Sequence, residues 1–380
     1  MDDDRADYDG EAWDRSDDLS ERLQKLLLKP FMTHNVESLV KQKLGKTATW
    51  VSPIRVGGYN NLFRLRVENS CDIMARLPQP AMVQFPDEKI LGEAATATFI
   101  ALNTSVPIPR VLSYGRSNSD PLVGPFIIIE YIENCGTMSC ALKTPTDDPD
   151  EVHILNPDIL EDVLASLYEK TAIHLIRLFQ PTFPLIGCLS QTGENVFSVT
   201  GRPIAQNMSN MLRLANIPEA VLPPKGRTYR TANEWYVALS EMHIAQLVFQ
   251  HNDLVKSADD CRTKFVARYL FRKLAREGRL STFGFAEDNW SAQSKNQTST
   301  LSPAPSCSGS FRIWCDDLRP GNILLDKDRE VVAFIDWEFA YTAPTQFALD
   351  PPWWLLLDIP EMWPDGIDEW VRVYELHLKT

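Results

Sequence analysis

The sequence predicts an α+β protein with two lobes: a small antiparallel β-sheet that carries one helix, followed by a larger and mainly helical lobe. Two observations support this fold class. Short strand-like runs and turn residues fill residues 49–134, whereas residues 135–380 show mostly helical spacing of apolar residues. A chain of 380 residues that is 44% hydrophobic is long enough for both lobes, since a domain takes roughly 150 residues.

The strand-like runs of the first lobe follow one another with one helical interruption. TWVSPIRV, LFRLRV and DIMARLP are separated by GGYNN and ENSC, whose Gly and Asn residues favour hairpin turns. DEKILGEAATATFIAL then places apolar residues on one helical face, and two more runs follow at 109–114 and GPFIIIEYI. We therefore expect the first lobe at 49–134, after leading helices and an acidic, mobile tail within 1–48.

The second lobe is predicted to contain three long helices, ILEDVLASLYEKTAIHLIRLF, TANEWYVALSEMHIAQLVFQ and DCRTKFVARYLFRKLAREG. His174 lies on the apolar stripe of the first, which favours a packed core histidine over a catalyst. The segment 291–310 is rich in Ser, Thr, Gln and Pro, so we expect a disordered insertion there.

Composition and charge disfavour several classes of function. A net charge of −13 repels nucleic acid, whereas a neutral or cationic small molecule suits this field. No apolar run approaches the roughly 20 residues of a membrane span, and the acidic start does not resemble a signal peptide. The seven cysteines form no C-x-x-C pair and the six histidines have no zinc-site spacing. We expect a cytoplasmic protein with free thiols, without a nucleic-acid or membrane partner, and of unknown oligomeric state.

The strongest chemical motif is WCDDLRPGNILLD at 314–326, followed by FIDWE at 334–338. NILLD and VVAFID predict a hairpin with KDRE as its turn, and such a hairpin brings the loop before its first strand beside the end of its second. Asp316 or Asp317, Asn322 and Asp336 can then converge. Phosphoryl transfer requires a base and oxygen ligands for Mg²⁺, which these residues offer. The alternative is a polar turn with capping aspartates.

These residues resemble the aminoglycoside phosphotransferase-like (APH) kinases, in particular their fungal branch. That family carries H-G-D-x-x-x-x-N and then I-D-W or I-D-F, matched here by Cys315-Asp316-Asp317 through Asn322 and by Ile335-Asp336-Trp337. The resemblance implies a bilobal protein-kinase-like fold, ATP and Mg²⁺ as cofactors, Asp317 as catalytic base, and Asn322 and Asp336 as metal ligands. Cys315 stands where the family usually has a histidine that braces this loop, so we expect a less rigid loop.

The resemblance also implies nucleotide-binding residues in the first lobe. GGYNN lies where these kinases fold a turn over the phosphates, and Arg76 lies on the strand where protein kinases place a phosphate-binding lysine. Glu93 is the expected partner of Arg76, with Glu88 as the alternative, and the end of GPFIIIEYI presents backbone groups to the adenine edge. The predicted nucleotide-binding residues are Gly57, Gly58, Asn60, Arg76, Glu93, Glu130 and Ile132.

Two features downstream of the motif have more than one interpretation. Asp350 resembles the family's buried carboxylate that reaches back to the catalytic loop, although a helix cap also explains it. Trp353, Trp354 and Trp363 are expected to anchor the core rather than to line a ligand site.

The preferred hypothesis is an ATP- and Mg²⁺-dependent phosphotransferase that acts on a hydroxyl group of a small molecule. The alternative is a nucleotide-binding pseudokinase or scaffold module, motivated by Cys315 and by Arg76 in place of lysine. A protein kinase is disfavoured because D-F-G and A-P-E elements are missing, and a hydrolase because no G-x-S-x-G turn occurs. The sequence does not indicate the acceptor.

Overall fold

The computed structural model describes residues 8–27, 29–146, 153–251, 254–296, 301–357, 363 and 366–377. The first lobe contains five strands: β1 (Ala48–Val56), β2 (Asn60–Val67), β3 (Ile73–Pro78), β4 (Val111–Gly115) and β5 (Phe126–Glu130). They form one antiparallel sheet in the order β1-β2-β3-β5-β4. Arg76 pairs with Leu62 on one side and with Ile127 on the other, so it lies on the central strand of the sheet. The predicted α+β class is confirmed.

Two helices pack on this sheet, α2 (Pro30–Leu44) and α3 (Pro86–Asn103). Val36, Leu39 and Val40 of α2 are buried in one cluster with Phe63 and Leu65 of β2. The helix ends at Gly45, whose φ of 68° is a left-handed cap that glycine adopts without a Cβ clash. Helix α2 is one of the leading helices expected within 1–48, and it packs on the sheet of the first lobe.

Helix α3 connects the two lobes. Its residues Ile90 and Ala94 pack against Ile127 of the sheet. Ala97 and Ile100 belong instead to the large core cluster of the second lobe. Side chains of α3 that lie between these two contacts are therefore held at the junction of the lobes.

Helix α1 (Tyr8–Leu27) packs on the second lobe rather than on the sheet. The carboxylate of Asp9 accepts hydrogen bonds from the backbone N–H of His251 at 3.0 and 3.1 Å, and the Arg213 guanidinium donates to the Ser16 hydroxyl. Residues 8–18 thus have a helical structure that differs from the expected mobile tail, because one face of the helix is buried; residues 1–7 lie outside the described residues.

The second lobe contains eight helices among the described residues. They are α4 (Met138–Leu142), α5 (Glu161–Leu178), α6 (Met208–Arg213), α7 (Ala232–Phe249), α8 (Ala258–Arg276), α9 (Ala292–Asn296), α10 (Thr345–Leu349) and α11 (Ile367–His377). The three predicted long helices correspond to α5, α7 and α8. His174 of α5 packs against Phe334 with ring centroids 5.5 Å apart, which is a packing contact.

Seven short strands of the described part of this lobe accompany these helices: β6 (Gly136–Thr137), β7 (Cys188–Gly193), β8 (Val196–Gly201), β9 (Arg312–Cys315), β10 (Ile323–Leu325), β11 (Val331–Phe334) and β12 (Ala340–Ala343). They form three small sheets, β11-β10-β6, β12-β9 and β7-β8. The β7-β8 hairpin is absent from the sequence prediction, because β7 buries only Cys188 and Leu189 and is otherwise polar and partly or fully exposed.

The segment expected to be a disordered insertion has a defined path in its described part. Backbone N–H groups of Ala286 and Ala232 donate to the carbonyl groups of Ser302 and Cys307, at 2.9 and 2.8 Å. These contacts attach residues 301–310 to the second lobe, and residues 297–300 lie outside the described residues. Within the described ranges, every helix is too short or too polar to cross a bilayer.

Candidate active site

The β10-β11 hairpin brings two of the predicted site residues together. Ile323 pairs with Phe334, and the backbone N–H of Ile335 donates to the carbonyl of Asn322 at 2.9 Å. Asn322, at the end of a 3₁₀ turn (Pro320–Asn322), and Asp336, just past β11, therefore lie side by side.

Asp317 is held in place at both carboxylate oxygens. The Asn322 amide donates to the backbone carbonyl of Asp317 at 2.7 Å and to Asp317 Oδ2 at 3.1 Å. Asp317 Oδ1 accepts from Arg319 Nε at 3.0 Å and from Gln206 Nε2 at 3.3 Å. Asp317 is 7% exposed, so these contacts fix the orientation of a carboxylate at the edge of the interior.

The surroundings of Asp317 make it a stronger base than an exposed aspartate. Burial raises the pKa of Asp317 above its ordinary value. Arg319 opposes this effect, and the neighbouring Asp336 reinforces it. The carboxylate is therefore better suited to accept a proton than the same group in water.

Cys315, which stands where the family usually has a histidine, forms a sulfur contact with the loop of Asp336. Its Sγ donates to the carbonyl oxygen of Asp336 at 3.6 Å. Burial raises the pKa of the Cys315 thiol well above its usual range, so the group stays a neutral donor. The cysteine thus ties the loop before Asp317 to the loop that carries Asp336.

Asp336 has an unusual backbone conformation. Its φ is 67°, in the left-handed region that a residue other than glycine occupies at a cost of about 1–3 kcal/mol. Its carboxylate accepts from the Arg76 guanidinium. The conformation turns the chain so that the side chain of Asp336 reaches the central strand of the first lobe.

Arg76 also contacts Glu93 of α3. Its Nη1 donates to Glu93 Oε1 at 2.6 Å, and both residues are buried. Burial disfavours the charge of Arg76, but Asp336 and Glu93 outweigh it and raise the arginine pKa. The alternative partner, Glu88, instead pairs with Arg202 at 2.9 Å.

A second buried ion pair lies next to the first, and sequence reasoning missed it. Lys89 of α3 pairs with Glu338, and both side chains are almost fully buried. Asn60 joins them: its Nδ2 donates to Glu338 Oε2 at 2.7 Å, and its Oδ1 accepts from Lys89 Nζ at 2.9 Å. Burial raises the pKa of Glu338, and Asp336 adds to this effect while Lys89 opposes it. The sequence feature that could have indicated this pair is the glutamate of the FIDWE motif, Glu338.

The GGYNN turn is closed by its own backbone. Gly57 N–H donates to the carbonyl of Asn60 at 2.8 Å, and Gln79 N–H donates to the carbonyl of Tyr59 at 2.8 Å. A Cβ on Gly57 would lie 3.3 Å from the Asn60 oxygen, which explains the glycine at this close approach. Both amide atoms of the Asn60 side chain are engaged by Glu338 and Lys89.

Most of the predicted site residues open onto one cavity of about 420 Å³ between the lobes, here called the interlobe cavity. The predicted residues that line it are Gly57, Gly58, Asn60, Arg76, Glu130, Ile132, Asp317 and Asp336. Glu93 and Asn322 are not in its lining, and they contact it through Arg76 and Asp317.

A second cavity of about 560 Å³, here called the aromatic cavity, adjoins the first. Tyr59 and Gln206 line both cavities. Its other lining residues are Ala205, Asn207, Asn210, Leu239, Trp314, Asp316, Tyr341, Phe347 and Trp353. Trp353 therefore lines a cavity, against the expectation of a core anchor, whereas Trp354 is buried.

Asp316 is the only carboxylate that lines the aromatic cavity among the described residues. It accepts from Trp314 Nε1 at 2.9 Å, from the Tyr341 hydroxyl at 3.1 Å and from Gln206 N–H at 3.1 Å. Burial raises the pKa of Asp316 to about 6. Asp350, which was expected to brace the loop, is exposed and makes no side-chain hydrogen bond to it within the described residues.

The oxygens near Asp317 suit a hard divalent cation. Asn322 uses its Nδ2 for Asp317, so its Oδ1 remains an acceptor, and Asp336 engages Arg76 through one oxygen. No group of three His, Cys, Asp or Glu residues that could hold a metal occurs within the described part of the chain. Mg²⁺ takes one or two protein oxygens together with phosphate oxygens, so this donor set fits Mg²⁺ rather than a closed protein site.

The sequence matches a known family model over its second half. Residues 213–369 match the model described as the phosphotransferase enzyme family, APH. A subtelomeric hrmA-associated cluster protein of Aspergillus fumigatus is 25% identical over 145 residues, 38% of this chain and 25% of that protein. Altered inheritance of mitochondria protein 9, mitochondrial, of Clavispora lusitaniae is 33% identical over 97 residues, 24% of this chain and 16% of that protein. The matches thus span a quarter or less of these relatives.

Similar solved structures include two macrolide 2′-phosphotransferases. One, of type I, has a TM-score of 0.43 at 13% identity and covers 92% of this chain and 83% of its own. The other, from Brachybacterium faecium, has a TM-score of 0.40 at 12% identity and covers 91% and 83%.

The sheet, the bridging helix and the hairpin motif define a protein of the bilobal, kinase-like α+β class. Within this fold, residues 213–369 are similar to the phosphotransferase enzyme family, APH. The relatives named above are fungal, in agreement with the branch that the motif predicts.

Proposed function

We propose that this protein is an ATP- and Mg²⁺-dependent phosphotransferase that phosphorylates a hydroxyl group of a small molecule. One observation carries the proposal: Asp317, Asp336 and Arg76 line one cavity together with the glycine turn. A base, a metal ligand and a phosphate-facing cation are the parts that phosphoryl transfer uses, since this reaction depends mainly on positioning and charge neutralisation.

Asp317 orients the acceptor hydroxyl and takes its proton. The oxygen of that hydroxyl forms the new bond to the γ-phosphorus while the bond from this phosphorus to the ADP oxygen breaks. Asn322 and Arg319 hold the carboxylate of Asp317 in a fixed orientation during this exchange. The raised pKa of Asp317 favours proton acceptance at neutral pH.

The remaining residues bind the nucleotide. Asn322 and Asp336 would hold Mg²⁺, which neutralises phosphate charge when bound. Arg76, aimed by Glu93, contributes a fork of donors for phosphate oxygens. Gly57 and Gly58 let backbone N–H groups approach the phosphates. Glu130 and Ile132 offer backbone groups to the adenine edge.

The aromatic cavity is the proposed acceptor site, because it adjoins the interlobe cavity at Tyr59 and Gln206. Aromatic rings, amides and the Asp316 carboxylate line it, and no Lys or Arg does so among the described residues. Such a lining accommodates a neutral or cationic hydroxylated molecule and disfavours an anionic one.

The alternative of a pseudokinase without turnover was motivated by the loss of the family's histidine. The contact between Cys315 and Asp336 replaces that brace in this chain, which supports turnover.

The cellular compartment is a separate question: the sequence favours the cytoplasm, whereas a relative's name refers to mitochondria. Fluorescence microscopy of the tagged full-length protein distinguishes the two.

The test of turnover is an ADP-release assay with Mg²⁺-ATP and a panel of hydroxylated amines, sugars and aminoglycosides. We expect acceptor-dependent ADP release that falls by roughly 100-fold or more in Asp317→Asn, the range for loss of a catalytic base. Asp328→Asn, an exposed aspartate in the hairpin turn, is the matched control and should keep wild-type activity. Stabilisation by Mg²⁺-ATP without turnover above Asp317→Asn would instead support the pseudokinase.

A further inference from the structure

The Lys89–Glu338–Asn60 cluster connects three segments that are distant in the sequence. Asn60 belongs to the glycine turn, Lys89 lies on α3, and Glu338 lies in the loop of Asp336. The Lys89 and Glu338 side chains are 1% and 2% exposed, so the charges are removed from water on all sides. The cluster therefore lies at the junction of the lobes, where Asn60 and Glu338 are also part of the lining of the interlobe cavity.

Stability alone does not explain this cluster. Removing two charges from water is costly, and apolar residues of similar size often replace a buried ion pair without loss of stability. A buried pair with a full set of hydrogen bonds instead fixes the relative position of the segments that carry it. Every polar atom of the Asn60 side chain is used in this way, by Glu338 and Lys89.

The cluster also contacts the residues proposed to bind phosphate. Glu338 Oε2 lies 3.9 Å from Arg76 Nη2. Arg76 in turn contacts Asp336, which precedes Glu338 by two positions. The glycine turn is therefore linked to the metal-binding loop by side chains, with Asn60 as the only side chain of the turn that reaches Glu338 among the described residues.

We propose that Glu338 is a positioning residue that, through Asn60 and Lys89, holds the glycine turn at a fixed distance from the Asp336 loop. The glycine turn and the Asp336 loop would then keep a fixed relative position when they contact the triphosphate. The inference rests on the proposed nucleotide site, and it adds a role for residues that neither the motif nor the family resemblance assigned to positioning.

Asn60→Ala is the sharpest test, because it releases the turn and leaves the Lys89–Glu338 pair in place. We expect the dissociation constant for Mg²⁺-ATP to rise roughly tenfold, as for loss of a hydrogen bond to a charged group. The KM for ATP should rise with it, while kcat changes little. Amide hydrogen exchange at 57–60 should become faster in the free protein.

Asn61→Ala is the matched control, since Asn61 is a buried neighbour whose side chain has no hydrogen-bond partner among the described residues. It should leave the ATP affinity unchanged. The double substitution Lys89→Met with Glu338→Leu removes both charges and is expected to lose ATP affinity by a similar factor. Its thermal midpoint should fall, because the buried Asn60 amide loses both of its partners.

Binding and exchange are measured without turnover, so they separate this inference from the phosphotransferase proposal. If no acceptor is phosphorylated but Asn60→Ala still weakens Mg²⁺-ATP binding, the result supports the positioning role and contradicts the proposed phosphotransferase activity. If Asn60→Ala and the double variant both fold and bind Mg²⁺-ATP like the wild type, the positioning role is wrong.

Discussion

Arg76 and Glu93 form a buried ion pair with 2.6 Å between Nη1 and Oε1, and this pair joins the central strand of the sheet to the helix between the lobes. The same arginine reaches Asp336 with its other terminal nitrogen. The Arg76 guanidinium therefore connects the sheet, the bridging helix and the loop after the hairpin. A substitution of Arg76, Glu93 or Asp336 should affect the positions of the other two side chains.

Glu93→Gln should weaken nucleotide binding and lower stability. The variant leaves the buried Arg76 with less compensating charge, which costs up to about 3–5 kcal/mol for a broken buried pair. Glu88→Gln is the matched control, because Glu88 pairs with Arg202 and not with Arg76. Titration with Mg²⁺-ATP followed by thermal unfolding measures both effects. Equal losses of ATP affinity in the two variants would contradict the assignment of Glu93.

Asn322→Ala should remove the Mg²⁺-dependent part of nucleotide binding. A ligand at 100 times its dissociation constant adds about 2.7 kcal/mol to stability, so the loss is visible as a smaller thermal shift. The shift by ATP is measured with Mg²⁺ and with a chelator. We expect the difference between the two conditions to shrink in Asn322→Ala and to persist in Asn103→Ala, an exposed asparagine at the end of α3. An unchanged difference argues against Asn322 as a ligand.

The neighbouring positions of Asn322 and Asp336 follow from the sequence because the hairpin is local. Its strands, its turn and its register are specified by residues within one short segment, and the predicted convergence needs nothing else. The β1-β2 and β2-β3 hairpins of the first lobe are predictable for the same reason, since GGYNN and ENSC mark their turns. The pairing of β3 with β5 is not local, because helix α3 and strand β4 lie between them in the sequence.

The Lys89–Glu338 pair is not predictable in this way. A lysine in the first turns of a helix is usually solvated, and its burial here depends on how α3 packs against both lobes. Helix α2 shows the same limit: the spacing of Val36, Leu39 and Val40 predicts an apolar face but does not identify the sheet as its partner.

Cys315→Ala should lower kcat more than Cys315→Ser does. Alanine removes the donor to the Asp336 carbonyl, whereas serine keeps an O–H donor of similar size. We expect a decrease of roughly tenfold in kcat for alanine, because a small displacement of a catalytic loop reduces the fraction of well-aligned complexes. Steady-state kinetics with Cys307→Ala, an exposed cysteine, as control tests this expectation. Identical kcat values for the alanine and serine variants would mean that the sulfur contact does not brace the loop.

The Asp316 carboxylate should make stability depend on pH. Burial raises its folded-state pKa from 3.8 to about 6, so the folded protein binds the proton more tightly than the unfolded chain. The stabilising contribution of the protonated group is therefore complete below the unfolded pKa and is lost as the pH rises through about 6.

Asp316→Asn is the variant that isolates this effect. The side-chain oxygen of asparagine still accepts hydrogen bonds from Trp314 and Tyr341. Its NH₂ group faces the backbone N–H of Gln206, and the loss of stability from these two facing donors is the same at every pH. Relative to this variant, the wild type should lose about 2 kcal/mol of unfolding free energy between about pH 4 and about pH 7. Urea unfolding across this range measures the difference, and Asp328→Asn should show no such trend because its carboxylate is exposed. A wild-type to Asp316→Asn difference that stays constant with pH would show that Asp316 titrates alike in the folded and unfolded states.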